Sequence, residues 1–195
     1  MENRIALIGG SFDPPHTGHV IMIKNLLASG LVDEVLISPT GVRQSKKTTA
    51  SPLQRFVMTE LMVNTEFEAG IPIHVLDYRI MRNDSYPTIE LLEFLEDKYT
   101  GREFYLVIGS DLIDKIEGWH RGQELIQKGK FIVVPRTELE IQAKLPYNFT
   151  VLGHEQRVVG YSSTKVREKI KTGEDFEQLM SPTVRAYITR YALYK

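Results

Sequence analysis

The chain has 195 residues, of which 42% are hydrophobic and 25% are charged, and this composition is typical of a globular protein with a sizeable core. Its formal net charge of −1 excludes steering of the whole molecule towards nucleic acid or an anionic membrane, so neither is an expected partner. The sequence has no cysteine and no apolar run of membrane-spanning length, which excludes disulfides, thiolate metal sites and cysteine nucleophiles and leaves a cytoplasmic location as the expectation.

A glycine- and histidine-rich stretch follows the first predicted strand, which covers residues 5–8. The stretch reads Gly9-Gly10-Ser11-Phe12-Asp13-Pro14-Pro15-His16-Thr17-Gly18-His19, and a helical pattern continues from it. A glycine turn between a strand and a helix presents backbone N–H groups and a helix N-terminus to a phosphate. His16 and His19 are three residues apart, so both rings can lie on one face of the helix start. A strand end with two solvated histidines is the alternative, but the combination of motifs favours phosphate binding.

The second predicted strand, residues 34–39, is followed by a polar and basic segment, residues 43–49, with Lys46 near its centre. Composition alone favours a solvated loop, and a loop that closes over phosphates is the alternative. A helix is predicted to begin at Ser51-Pro52-Leu53-Gln54, which has the pattern of a capping box. The apolar face of this helix is predicted to consist of Leu53, Phe56, Val57, Glu60, Leu61 and Asn64. Arg55 lies off that face, as a solvated charge or as a contact to the basic segment.

The third strand is predicted around residues 71–75, a helix follows over residues 89–99, and the fourth strand covers residues 104–108. This fourth strand ends in Gly109-Ser110-Asp111, at another turn into a helix. Asp111 suits a ribose hydroxyl and equally suits plain N-capping of the helix. Both interpretations stay open on the sequence alone.

The last third of the chain contains two further strands, residues 131–134 and 149–152, and two helices. One helix opens at Ser162-Ser163-Thr164 and stops before Gly173, and Arg167 lies one turn inside it. Taken alone, these residues indicate an ordinary cap and a surface charge. The terminal helix begins at Ser181-Pro182, and its apolar face is predicted to be Val184, Tyr187, Ile188 and Tyr191.

The alternation of strands and helices predicts an α/β fold of the Rossmann-like, doubly wound class, with a mostly parallel sheet and helices on both faces. We expect a single domain, 1–195, in which the helical part from about residue 162 to 195 packs on the sheet. In such sheets ligands bind outside the carboxyl ends of the strands, where the turns after the first and fourth strands would lie. The glycine turn lacks the dinucleotide fingerprint, so a hydride-transfer enzyme is not inferred.

The stretch from Gly9 to His19 resembles the signature of the nucleotidyltransferases that carry His-x-Gly-His, which transfer a nucleoside monophosphate from a triphosphate and release pyrophosphate. With Gly109-Ser110-Asp111, Trp119 and Ser162-Ser163-Thr164-x-x-Arg167 added, the chain resembles the bacterial nicotinate or nicotinamide mononucleotide adenylyltransferases over nearly its whole length. The resemblance implies that ATP and a pyridine mononucleotide are the substrates. It leaves a homo-oligomer open.

The resemblance also implies roles for individual residues. It assigns His16, His19 and Arg167 to catalysis. It assigns ATP binding to Gly9, Gly10, Ser11, Phe12, Gly109, Ser110, Asp111, Ser163 and Thr164, to which the basic loop would add Lys46. It assigns the acceptor to Tyr86, Thr88, Trp119 and Arg136, with Trp119 stacking on the pyridine ring.

The implied chemistry needs positioning more than a side-chain nucleophile, because the acceptor phosphate is already an anion. Mg²⁺ is expected as the cofactor, held mainly by substrate phosphates and water, and no protein metal site is expected. The alternatives are nicotinamide mononucleotide as acceptor, another adenylyl- or cytidylyltransferase such as one for phosphopantetheine, and a non-catalytic nucleotide-sensing module.

The acceptor base is left open by one departure from the pattern of the family. Members that favour nicotinate typically carry Ser-Tyr-Thr ahead of the third helix, whereas this chain has Ser85-Tyr86-Pro87-Thr88. Proline has no N–H to offer a carboxylate, although it is also ordinary at a helix start. The remaining motifs favour nicotinate, with a weaker preference over the amide than in a Ser-Tyr-Thr enzyme.

Overall fold

The computed structural model describes residues 3–42, 48–82, 86–136, 145–153, 158 and 160–195. Strands and helices alternate along these residues. The strands are β1 Asn3–Gly10, β2 Glu34–Pro39, β3 Ile73–Val75, β4 Arg102–Gly109, β5 Lys130–Val134 and β6 Phe149–Val151. The helices are α1 Thr17–Ala28, α2 Pro52–Glu66, α3 Thr88–Lys98, α4 Gly122–Lys128, α5 Ser163–Thr172 and α6 Pro182–Arg190, with 3₁₀ turns at Ser110–Gly118 and Glu177–Leu179.

Among the described residues, the strands form one six-stranded sheet in the order β3-β2-β1-β4-β5-β6. The pairs β1/β4, β4/β5 and β5/β6 are parallel, and Ile5 lies opposite Phe104 in the first of these registers. This topology confirms the predicted Rossmann-like α/β class. None of the helices in the described part of the chain is long and apolar enough to cross a membrane.

The contacts of the chain group into two compact units. The first unit comprises Met1–Gly9, Met22–Ile37 and Tyr86–Val159, and the second comprises Gly10–Ile21, Ser38–Ser85 and Gly160–Lys195. The prediction of a single domain stays a prediction.

The core of the first unit is built from the strands, whose residues are apolar on both faces as expected of buried parallel strands. Its members include Ile5, Leu7, Leu106, Phe131, Ile132 and Val133, all of which are buried. Phe149 stacks on Phe131 with a centroid distance of 4.2 Å, which anchors the short edge strand β6.

Helix α2 of the second unit begins where the sequence predicts but buries a different face. The capping box is confirmed, since the Gln54 amide donates to Ser51 Oγ at 3.3 Å and the Ser51 amide donates to Gln54 Oε1 at 2.9 Å. The buried residues are Arg55, Met58, Thr59, Met62 and Val63. The predicted face is therefore wrong, and Leu53 is 62% exposed.

Helix α6 of the second unit packs on α2, and Thr183 Oγ1 lies 2.6 Å from Thr65 Oγ1 across that contact. Val184 and Ile188 are buried as predicted. Tyr191 is 51% exposed, so its assignment to the apolar face is wrong, and Tyr194 is buried near the chain end instead.

Candidate active site

The glycine and histidine stretch forms a row of aromatic rings in the second unit. The His16 and His19 ring centroids are 3.8 Å apart, and the Phe12 ring lies 4.6 Å from that of His19. The Tyr161 ring, just before α5, lies nearly parallel to that of His16, with a centroid distance of 6.5 Å. The structure therefore brings the two predicted histidines together at the start of α1 and adds Tyr161, which the sequence analysis missed.

The hydrogen bond of His19 defines which of its ring nitrogens can donate. The His16 amide donates to His19 Nδ1 at 3.1 Å, so Nδ1 is an acceptor. A neutral His19 then carries its proton on Nε2. The ring is thereby arranged to donate a hydrogen bond from Nε2 without carrying a net charge.

Gly18 allows the close approach of Tyr161 to the histidine row. A Cβ atom at Gly18 would lie 2.6 Å from Tyr161 Cβ and 3.0 Å from His16 Cε1. Real Cβ atoms do not approach other heavy atoms so closely. The glycine in His-x-Gly-His is therefore needed for packing in this chain.

The start of α5 is tied to the main chain of the same stretch. Ser163 Oγ donates to the Pro14 carbonyl at 2.9 Å, and Arg167 Nη1 donates to the Asp13 carbonyl at 2.7 Å. Arg167 Nη2 also donates to Thr164 Oγ1 at 3.2 Å. The structure thus brings the predicted clamp residues of α5 together with the signature stretch, and these bonds orient the guanidinium and the hydroxyls.

Arg55 is the second charged residue that organises the stretch, and it is fully buried. Its guanidinium donates to the carbonyls of Ser11 at 2.6 Å, Gly41 at 3.0 Å and Ala50 at 3.3 Å. It therefore joins the glycine turn to the end of β2 and to the start of α2. The interpretation of Arg55 as a solvated charge is wrong. Residues 43–47 of the basic segment, which include Lys46, lie outside the described residues, so the alternative of a contact to them stays a prediction.

Asp13 is a further member of the site that the sequence analysis did not assign. The carboxylate is buried and accepts the amides of Thr49 at 2.8 Å and Ala50 at 3.0 Å, together with the Tyr194 hydroxyl at 2.8 Å. Burial, followed by the nearby charge of Asp13, raises the pKa of Tyr194. The motif Phe-Asp-Pro was visible in the sequence, but its partners are distant in the chain.

The turn after β4 forms a separate cluster in the first unit. Arg136 Nε lies 3.7 Å from Asp111 Oδ1, and the Arg136 amide donates to Ser110 Oγ at 3.1 Å. A Cβ atom at Gly109 would lie 2.4 Å from Asp111 Oδ1, so a side chain here would displace the Asp111 and Arg136 side chains from these positions. Asp111 lies inside the 3₁₀ turn, whose N-cap is Gly109, so the alternative that Asp111 caps the helix is wrong.

Of the predicted acceptor residues, Tyr86 and Thr88 lie at the start of α3, and Trp119 is the C-cap of the 3₁₀ turn. Pro87 is the N-cap of α3 and Thr88 is its first residue. Tyr86 Oη donates to the Glu90 carbonyl at 3.4 Å, and His120 Nε2 lies 3.4 Å from Glu90 Oε1. Glu90, which the sequence analysis did not assign, therefore connects the segment at Tyr86 to the residue that follows Trp119. Arg136, by contrast, contacts Ser110 and Asp111.

No group of three or more His, Asp or Glu side chains in the described part of the chain could hold a metal ion. The Arg167 guanidinium and the Ser163 and Thr164 hydroxyls are groups that can bind phosphate oxygens. A Mg²⁺ ion carried by phosphates and water would need few ligands from the protein.

The chain is similar in sequence to a known protein family and to several named proteins. A family model described as cytidylyltransferase-like matches residues 7–169. The chain is 30% identical over 97% of its length to a protein of Oceanobacillus iheyensis named "Probable nicotinate-nucleotide adenylyltransferase", 96% of which is covered. It is 34% identical over 86% of its length to a protein of the same name from Sulfurimonas denitrificans, 85% of which is covered.

Solved structures resemble the fold over nearly the whole chain. The structure of Plasmodium falciparum nicotinic acid mononucleotide adenylyltransferase complexed with NaAD matches with a TM-score of 0.84 and 24% identity, covering 99% of this chain and 98% of that one. The complex of the same protein with APC matches with a TM-score of 0.80 and 22% identity, covering 99% and 98%. At these identities the likeness establishes the shared fold.

Proposed function

Because the chain belongs to the cytidylyltransferase-like family, among its nicotinate-nucleotide adenylyltransferases, we propose that it transfers the adenylyl group of ATP to nicotinate mononucleotide. The products are the deamido-NAD dinucleotide and pyrophosphate, and the reaction belongs to NAD biosynthesis. The observation that carries the proposal is the placement of His16, His19 and Arg167 around one glycine turn. A cytoplasmic location is part of the same proposal.

The reaction is a displacement at the α-phosphorus of ATP. An oxygen of the mononucleotide phosphate forms a bond to this phosphorus, and the bond from the phosphorus to the oxygen that bridges to the β-phosphate breaks. The electron pair of that bond leaves with pyrophosphate. No proton has to be removed from the nucleophile, so the protein mainly holds the reactants in line and stabilises the leaving group.

The phosphate side of the reaction is assigned to the second unit. The Nε2–H of His19 is a suitable donor to an oxygen that gains charge as pyrophosphate leaves. Arg167 offers a planar guanidinium, which can pair two phosphate oxygens at once. The turn is formed by Gly10, Ser11, Phe12 and His16. Ser163 bonds the N-terminus of α5 to it at Pro14, and Thr164 accepts a hydrogen bond from Arg167. Mg²⁺, carried by ATP and water, would supply charge neutralisation on the phosphates.

The nucleoside and acceptor roles are assigned to the first unit. Gly109, Ser110 and Asp111 form a turn suited to the adenosine, with Asp111 as an acceptor for a ribose hydroxyl. Trp119 is half-buried, and its indole is assigned to stacking on the pyridine ring of the acceptor. Tyr86 and Thr88 are assigned to the acid group of the base, and Gly9 to the nucleotide. Arg136 is kept on the acceptor side, although its described contacts are with Ser110 and Asp111.

The proposal is tested by pyrophosphate release with MgATP and a panel of acceptors. We expect turnover with nicotinate mononucleotide and slower turnover with nicotinamide mononucleotide. Turnover with phosphopantetheine, or binding of ATP without turnover on any acceptor, would replace the proposal by the corresponding alternative. Omission of Mg²⁺ should abolish turnover, and readdition should restore it.

A further inference from the structure

The C-terminal end of the chain lies inside the second unit in an unusual backbone conformation. Ala192 and Tyr194 both have positive φ angles, of 49° and 67°. Residues other than glycine rarely adopt this conformation and keep it only where surrounding contacts over-determine the backbone. The Leu193 amide donates to the Ile188 carbonyl at 3.0 Å, which turns the chain back after α6. The segment from Ala192 to Tyr194 is therefore turned back on α6 by its main-chain bonds.

The contact at the end of this turn is made by the Tyr194 side chain. Tyr194 is 6% exposed, and its hydroxyl donates to Asp13 Oδ1 at 2.8 Å. A hydrogen bond from a hydroxyl to a buried carboxylate is charge-assisted and is stronger than a neutral one. The raised pKa of Tyr194 keeps the hydroxyl protonated and able to donate at ordinary pH. The penultimate residue of the chain is thus bonded to the signature stretch.

The same aspartate has three further bonds that join separate segments. Its carboxylate accepts the Thr49 and Ala50 amides at 2.8 and 3.0 Å, just before α2. Its main-chain carbonyl accepts Arg167 Nη1 at 2.7 Å. We call Asp13, Thr49, Ala50, Arg167 and Tyr194 the Asp13 cluster. The orientation of Arg167 in this cluster depends on the position of the Asp13 peptide.

We propose that Tyr194 is a positioning residue for ATP binding, which fixes the Asp13 carboxylate and thereby the guanidinium of Arg167. The inference rests on the proposed function, because Arg167 is assigned there to the triphosphate. Without the Tyr194 hydroxyl, the Asp13 carboxylate still accepts the Thr49 and Ala50 amides but loses its hydrogen bond to the C-terminal segment. The turn and Arg167 then sample positions that do not fit the phosphates. The KM for ATP should change most, because Arg167 is the member of the Asp13 cluster that is assigned to a substrate, and it is assigned to the triphosphate.

The test compares two substitutions that each remove one phenolic hydroxyl from the C-terminal segment. Tyr194→Phe should raise the KM for MgATP about tenfold, as expected for loss of one charge-assisted hydrogen bond, and leave the KM for nicotinate mononucleotide within a factor of about two. Tyr191→Phe is the matched control, since Tyr191 is exposed and packs on Tyr187. It should behave as the parent does.

A second variant tests whether the hydroxyl acts through Asp13. Asp13→Ala, which removes both side-chain acceptors, should weaken MgATP binding at least as much as Tyr194→Phe does. MgATP binding should be no weaker in the double variant than in Asp13→Ala alone, because residues that act through one contact are not additive. Additive losses in the double variant would overturn the proposal.

Two measurements without turnover separate this inference from the proposed function. The Kd for MgATP is measured by calorimetry in the absence of an acceptor, and amide hydrogen exchange is followed at Thr49 and Ala50. Tyr194→Phe should weaken the Kd and speed exchange at these amides, whichever acceptor the protein uses. An unchanged Kd with unchanged exchange overturns the inference. So does an equal rise in both KM values with a lower melting temperature, which a merely structural role would produce.

Discussion

The glycine turn of the second unit and the segment around α3 in the first unit are stabilised by different kinds of contact. Around the glycine turn, the charged groups of Arg55 and Asp13 are buried and bonded to main-chain atoms. Around α3, His120 and Glu90 meet as an exposed pair, with side-chain exposures of 58% and 37%. Buried bonds to the main chain fix geometry and are costly to lose, whereas an exposed pair contributes little. Substitutions should therefore change stability and rate in the first region and mainly specificity in the second.

The largest effect is expected from Arg55→Met, which keeps the bulk of the side chain and removes its donors. The carbonyls of Ser11, Gly41 and Ala50 would be left buried without the guanidinium, so the free energy of unfolding should fall by about 3–5 kcal/mol. Urea denaturation followed by circular dichroism measures this loss. Arg121→Met is the control, because Arg121 makes ion pairs with Glu93 and Glu124 at the surface. A loss in Arg55→Met no greater than in the control would contradict the comparison.

The role of Arg55 also shows where hydrophobic periodicity fails. Two faces of α2 are compatible with the apolar residues of its sequence, and helical spacing alone favours the face with Leu53, Phe56 and Leu61. The face that packs inward instead contains Arg55 and Met58, because the guanidinium finds main-chain carbonyls supplied by segments that are distant in sequence. Such partners have no signature in the sequence of the helix.

The next largest effect is expected at His19. His19→Ala should lower kcat about a hundredfold or more at saturating ATP, as expected when a donor to developing negative charge is removed. Because Nδ1 accepts the His16 amide, the useful donor is Nε2–H, which the amide nitrogen of glutamine can imitate. His19→Gln should therefore keep more activity than His19→Ala. A fall in kcat of only a few-fold in His19→Ala would rule out this role.

A smaller effect is expected from Gly18→Ala. Alanine normally stabilises a helix relative to glycine by about 0.5–1 kcal/mol. Here the added methyl group would overlap with Tyr161 and the His16 ring, so we expect a loss of about 1–3 kcal/mol in unfolding free energy and a lower kcat. Gly118→Ala is the control, because a Cβ atom there meets no heavy atom within 4 Å. Thermal unfolding measures the change in stability, and steady-state kinetics measure kcat. If Gly18→Ala were more stable than the parent, Tyr161 would have moved away from the added methyl group at no cost, which would contradict the prediction.

The two regions also differ in how far the sequence predicted them. Most strands and helices, and hence the fold, could be predicted from the periodicity of apolar residues. The family could be predicted from motifs whose residues are contiguous in the sequence. The histidine pair is such a motif, and the structure brings its members together. The pair of Asp13 and Tyr194 could not be predicted, because the two residues are 181 positions apart and terminal residues are usually loosely held. Local signals therefore identify the site, whereas its supporting contacts require the fold.

The smallest effect, and the sharpest test of the acceptor side, is expected from Pro87→Thr. Proline at the N-cap of α3 makes no side-chain capping bond and has no N–H to donate. Threonine would add both a hydroxyl and an N–H beside Tyr86, close to the position assigned to the acid group of the base. A site that hydrogen-bonds its substrate discriminates against an analogue that lacks the group, so the preference for nicotinate over nicotinamide mononucleotide should increase about three- to tenfold. The kcat/KM values for both mononucleotides are compared in the parent and the variant, with the KM for ATP as an internal control that should not change. Preference of the parent for the amide, or an acid-to-amide ratio that stays the same in the variant, would show that the segment before α3 does not select the base.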